Sequence, residues 1–159
     1  NDSLLSGNLG ITNACTIVVA GRVNSLAAAQ FLFGENTSGL TFFIENTTGI
    51  VIAGKNGTAQ LVNSSGFPVT AGVPFVLTFR LSGGTAVIRR NGVQVATAGT
   101  ALTFAATTGA RIGSDFAGTS YPLNGALGWV VPITTALSDA DCLTVERLVG
   151  SQFPGMATF

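Results

Sequence analysis

Few side chains in this chain can do chemistry. Its 159 residues include seven Asp and Glu, seven Lys and Arg, two Cys, one Tyr, one Trp and no His. Lacking His, it cannot build Ser-His or Cys-His nucleophile systems, and it has lost the commonest transition-metal ligand. Carboxylates remain. Retaining cleavage of a glycoside needs two of them ~5–5.5 Å apart. Glu35 and Glu45 stand singly at the ends of apolar runs, and only across neighbouring strands could they form such a pair. Asp139 and Asp141 are accounted for by a helix start. The sequence therefore reads as non-catalytic.

Binding chemistry has better candidates. Sugars lay the apolar face of a ring on an aromatic side chain and take hydrogen bonds from Asn, Asp or Arg. Tyr121 and Trp129 are each unique in the chain. Tyr121 lies in the loop Gly118–Pro122, with Phe116 beside it. Asp115, Phe116, Tyr121, Asn124 and Trp129 are the candidate glycan-binding residues. The alternatives are a tyrosine that pins its own loop and a tryptophan that belongs to the core. Calcium takes six or more oxygen ligands, usually with at least two carboxylates. Asp115 is the one metal candidate, helped by backbone carbonyls and Asn124, and a plain loop aspartate is its alternative. Asn36, Asn46, Asn56 and Asn63 each begin an N-glycosylation triplet and read as polar turn residues. Arg89 and Arg90 flank a turn on opposite strand faces, as solvated side chains by default.

The elements that position these residues are mostly strands. Runs of β-branched and aromatic residues are cut by Gly, Asn and Ser every eight to twelve residues, the spacing of a sandwich or barrel. Strands are expected near Thr16–Val23, Phe31–Phe33, Leu40–Glu45, Ile50–Ala53, Ala59–Val62, Phe75–Leu81, Ala86–Arg90, Val93–Thr97, Ala110–Ile112 and Leu123–Ile133. Asn91-Gly92 suits the positive φ of a type I′ turn, which predicts a hairpin over Ala86–Thr97. Alternation puts Cys15, Ile17, Val19, Gly21 and Val23 on one face. Several strands are apolar on both faces, so a layer, a loop or another subunit must cover the outer side. One helix is expected after Ser138, its N-cap, with Cys142, Val145 and Val149 as an apolar stripe, Leu148 beside them and Gly150 at the stop.

The C-terminal half carries a recognisable order of motifs. Ala110-Arg111-Ile112-Gly113-Ser114-Asp115 is followed by Leu123-Asn124-Gly125-Ala126-Leu127-Gly128-Trp129-Val130, then by Thr135-Ala136-Leu137-Ser138-Asp139-Ala140-Asp141 and the helix. Before them come the strand Phe75–Phe79 and the hairpin Val87–Val95. This series resembles laminin-G-like domains of the concanavalin A-like lectin/glucanase superfamily. The resemblance implies an all-β jelly-roll sandwich of two antiparallel sheets with one short C-terminal helix, over residues 13–159, after a lead-in at 1–12. Glucanases of that superfamily carry an E-x-D-x-x-E run on one strand, and nothing of that kind occurs here. Such domains are common in phage tail fibres, tailspikes and capsid fibres. The implied function is a non-catalytic module that contacts host-surface carbohydrate. The alternative is an assembly or decoration domain without a sugar ligand. In such a fold Cys15 and Cys142 are either buried free thiols or a bridge from the first long strand to the last helix.

Composition sets the remaining bounds. Apolar residues make up 47 % and charged residues 9 %, against a typical ~25 % charged. Net charge is zero, which argues against a nucleic-acid partner. No apolar run approaches the ~20 residues that span a bilayer, so no membrane insertion is expected. The first residues show no secretory or transit pattern, and the chain is expected to start within a longer polypeptide or after a cleavage. A surface polar through Ser, Thr, Asn and Gly suits a homo-oligomer, a trimer included, or a protein working outside the cell or on a virion surface.

Overall fold

The computed structural model describes residues 4–35, 39–55, 59–99, 104, 109–115, 117–118, 120–156 and 159. The strands are β1 (Leu4–Ser6), β2 (Cys15–Val23), β3 (Gln30–Glu35), β4 (Leu40–Ile44), β5 (Val51–Lys55), β6 (Ala59–Asn63), β7 (Phe75–Ser82), β8 (Thr85–Arg90), β9 (Val93–Gly99), β10 (Ala110–Ile112) and β11 (Gly125–Ile133). One helix, α1 (Asp139–Ser151), follows. A six-stranded sheet runs β1-β10-β3-β4-β5-β6, and a five-stranded sheet runs β11-β2-β7-β8-β9. Neighbouring strands pair antiparallel throughout. The architecture is the expected jelly-roll sandwich with a short C-terminal helix.

Alternation builds the core. Cys15, Ile17, Val19 and Val23 of β2 face inward, joined by Phe75, Leu77 and Phe79 of β7 and by Phe33, Leu40, Phe42 and Ile44 from the opposite sheet. Phe42 and Phe79 meet across the sheets with ring centroids 6.2 Å apart. The other face of the five-stranded sheet is also apolar. Val18, Ala20 and Val76 are buried there under Val149 and Phe153, with Val145, Met156 and Phe159 packed around them. The chain's own helix and tail thus supply the cover that two-sided strands require.

Local chemistry explains the turns. Asn91 and Gly92 take φ of 48° and 84°, so the β8–β9 hairpin closes through the expected left-handed pair. Ser138 Oγ accepts the Asp141 N–H at 3.1 Å, capping α1 as predicted. Two helix expectations are corrected. Gly150 does not stop the helix, which runs on to Ser151 with Gln152 as C-cap. Its lack of a side chain serves packing, since a Cβ there would lie 3.3 Å from Val76 Cγ2. Leu148 does not join the buried stripe and is 63 % exposed. The buried place on that side goes to Glu146. Within the expected lead-in, Leu4–Ser6 forms a strand on β10, and Ile11 is fully buried in the core.

Candidate functional site

Tyr121 stands at the end of a loop built by Asp115. The Asp115 carbonyl accepts the Gly118 N–H at 2.9 Å, and its Oδ1 accepts the Ser120 N–H at 3.0 Å. The loop closes where the Leu123 N–H donates to the Gly113 carbonyl at 2.8 Å. Tyr121 holds a φ of 52°, a conformation uncommon for a bulky residue. Its carbonyl accepts the Phe31 N–H at 3.3 Å, which ties the loop to β3. The ring stacks on Phe31 with centroids 5.6 Å apart, and Phe31 stacks on Phe43 at 5.0 Å. Phe43 lies between the inward Phe42 and Ile44, so the stack sits on the outer face of the six-stranded sheet. Tyr121 ends it, 51 % exposed.

Polar groups border this ledge. Arg111 pairs with Gly34 in the adjoining row of the sheet. Its guanidinium lies against Gly118, where a Cβ would be 2.7 Å from Cζ. Asn124 is exposed and anchored by its backbone, accepting from the Asn24 N–H and donating to Gln30 Oε1. Gln30 directly precedes Phe31. The loop therefore brings Asp115, Tyr121 and Asn124 together along one rim. Phe116 lies outside the described residues. The sequence does not mark Phe31, Phe43 or Arg111 as ligand contacts: phenylalanine ordinarily fills cores, and Arg111 reads as part of a strand. The usable signal was parity. In Leu40–Ile44, Phe43 shares the outward phase with Thr41.

Trp129 does not belong to this rim. It pairs with Ala20, whose side chain faces the helix, so Trp129 projects from the opposite side of the sandwich, 48 % exposed. A bulge at Gly128 causes this. Leu127 faces the core, and the extra residue turns Trp129 outward instead of inward. Trp129, Val131, Val145, Leu148, Val149 and Gln152 line an apolar groove of about 530 Å³.

The one acid pair that the sequence left open, Glu35 with Glu45, does not form. Ile44, next to Glu45, pairs with Gln30, the far end of β3 from Glu35. Five strand residues, roughly 16 Å, separate the two positions along the sheet. Glu35 is buried and accepts the Leu40 N–H at 2.9 Å, while Glu45 accepts from the Thr48 hydroxyl at 2.7 Å. The cysteines are not bridged. Both are free and buried. Cys15 faces the interior of the sandwich, whereas Cys142 lies on the helix that covers the outer face, so the five-stranded sheet stands between them. Burial, with Glu35 nearby, pushes the Cys15 thiol up to about 12. Burial also raises the Cys142 thiol. Among the described residues no group of three or more His, Cys, Asp or Glu could hold a metal, and no helix is long and apolar enough to cross a membrane.

Arg89 is not a solvated turn flank. It is buried under α1, with Nε donating to Glu146 Oε1 at 2.8 Å and Nη2 donating to the Gly92 carbonyl at 2.8 Å. Burial works against its charge. The hydrogen bond and charge of Glu146 outweigh that and hold the guanidinium above its ordinary pKa.

No protein-family model and no curated protein matches the chain. Solved structures do. The CBM40 domain of the Ruminococcus gnavus IT-sialidase, bound to α2,3-sialyllactose, superposes with a TM-score of 0.67 at 17 % identity, covering 92 % of this chain and 97 % of that one. Domain 4 of AbnA, an extracellular arabinanase of Geobacillus stearothermophilus in complex with arabinotriose, gives 0.68 at 13 % identity, covering 92 % and 89 %. A SAP-like pentraxin of Limulus polyphemus gives 0.71 at 16 % identity, covering 91 % and 75 %. At these identities the likeness is one of fold. The chain shares the antiparallel jelly-roll sandwich of these domains.

Proposed function

We propose that this domain is a non-catalytic glycan-binding module whose platform is the stack Tyr121–Phe31–Phe43. One observation carries the reading. A half-exposed tyrosine is held in a left-handed backbone conformation and backed by two parallel rings on an open sheet face. A rigid aromatic face bordered by hydrogen-bonding side chains is what a sugar ring requires. Asp115, Asn124 and Arg111 border it. That the Ruminococcus and Geobacillus domains of the same fold are seen with sugars supports the reading. Asp115 serves here as the organiser of the loop, and binding proceeds without calcium. The low charge supports a site of action outside the cell, on a virion surface such as a phage tail fibre or tailspike.

The test is a glycan array probed with the wild-type chain and with Tyr121→Ala, each with calcium and with a chelator. The wild type should bind a selective set of glycans equally in both conditions. Tyr121→Ala should weaken binding about tenfold, the size of one lost aromatic contact, while the protein stays folded. Absence of binding by the folded wild type, or full binding by the variant, refutes the platform. Loss of binding with chelator assigns Asp115 to a calcium site instead.

A further inference from the structure

We propose that the face bearing Trp129 and Leu148 is a two-fold interface between two copies of this chain. It lies where the sandwich leaves two sheet edges open, since β1 ends one sheet and β11 ends the other. Among the described residues, the groove between Trp129 and α1 holds Gln152 as its one polar side chain besides the indole N–H of Trp129. A second groove of about 300 Å³ continues past Trp129 to Leu4 and Ile112. No charged residue lines either groove among the described residues. So apolar a surface offers a sugar few hydrogen bonds, which separates it from the polar-bordered ledge around Tyr121.

The shape favours a second copy as occupant. Leu4, Trp129 and Leu148 are 64 %, 48 % and 63 % exposed. Together they leave roughly 350 Å² of apolar surface per copy, within the range of the largest patch on a monomer, which is often functional. With the partly exposed Ile112, Val130, Val131 and Val145 around them, the patch reaches ~500 Å² per copy, or ~1,000 Å² across a dimer, the lower bound for a specific interface. The protruding Leu148 and the groove beside it occupy the same face, as a self-complementary contact requires. A formal net charge of zero leaves no net charge repulsion between copies. The bulge at Gly128 and Pro132 make β11 a poor template for another strand, so the contact is made by side chains. Given the glycan reading above, such a dimer leaves both Tyr121 ledges open and binds multivalent surfaces with avidity.

The test is sedimentation equilibrium of the whole chain from about 1 to about 200 μM, with the fluorescence of Trp129, the sole tryptophan, followed over the same range. The chain should form a dimer, and the emission should shift to the blue as Trp129 is covered. Leu148→Glu, at an exposed helix position, should raise the dissociation constant at least about tenfold. Val93→Glu, equally exposed at the far edge of the same sheet, should leave it unchanged. A monomer throughout, an oligomer of odd order, an unshifted emission, or a dimer indifferent to Leu148→Glu overturns the proposal. The glycan array is read separately, so a monomer that still binds sugar through Tyr121 refutes the interface alone.

Discussion

Replacing Glu146 by leucine should be one of the most damaging single changes to the helix-covered face. The Glu146 side chain is 1 % exposed and that of Arg89 7 %. Two contacts join them, Nε to Oε1 at 2.8 Å and Nη2 to Oε2 at 3.4 Å. Removing one partner of a buried pair typically costs ~3–5 kcal/mol, because the survivor is left charged and dry. Arg89 would keep the Gly92 carbonyl and a looser contact with Asp139 at 3.6 Å, whose carboxylate is largely exposed. That places the expected loss near ~3 kcal/mol, or a fall of roughly 6–12 °C in Tm for a domain of this size. The assay is urea unfolding followed by circular dichroism, run as a double-mutant cycle with Arg89→Met. The double variant carries no orphaned charge and should recover to within about 1 kcal/mol of wild type. A loss below ~1 kcal/mol for Glu146→Leu, or a double variant as damaged as the sum of the singles, would refute the assignment of a buried pair.

Two further outcomes follow from buried polar atoms. The Cys15 thiol stands at about 12 in the folded chain against an ordinary 9.0, so between those values the native state holds a proton that the unfolded chain releases. Stability is fully present below pH ~9 and falls as pH rises toward ~12; urea midpoints should drop between about pH 8 and about pH 10.5, less steeply in Cys15→Ala, and a thiol reagent should label the cysteines only on unfolding. Thr78 Oγ1 is buried between β2 and β8 without a hydrogen-bond partner among the described residues, so Thr78→Val should raise stability by about 0.5–1 kcal/mol, and a loss would reveal a partner for the hydroxyl.

Much of the sandwich is legible from short-range rules. Period-two alternation assigns the inward face of β2, and Asn91-Gly92 marks a turn that forms because both residues reach positive φ. The helix start is legible because Ser138 and Asp141 lie at capping distance. What escaped the sequence depends on long-range contact. Leu4–Ser6 is too short and too exposed to read as a strand without β10 beside it. Gly150 looks like a terminator by residue type, but its role is set by the approach of Val76. Arg89 reads as solvent-facing until a carboxylate from a helix 57 residues later arrives above it. On the ledge, Tyr121 could be found from its uniqueness and loop setting, whereas Phe31 and Phe43 were hidden by the general rule that phenylalanine fills cores.

The separation of Tyr121 from Trp129 turns on one glycine. Without a bulge, Trp129 would share the inward phase of Leu127 and add a large ring to an already filled core. The additional residue in β11 reverses the phase, so that Trp129 pairs with Ala20 on the outer face while Val130 turns back toward the interior opposite Val19. Only glycine fits at that point, because a Cβ on residue 128 would lie 2.6 Å from the Phe153 ring that seals the helix against the sheet. Closing the outer face with Phe153 and exposing Trp129 are therefore one arrangement. It divides the two outer surfaces of the sandwich by chemistry: a polar-bordered aromatic ledge on one, and a largely apolar face on the other.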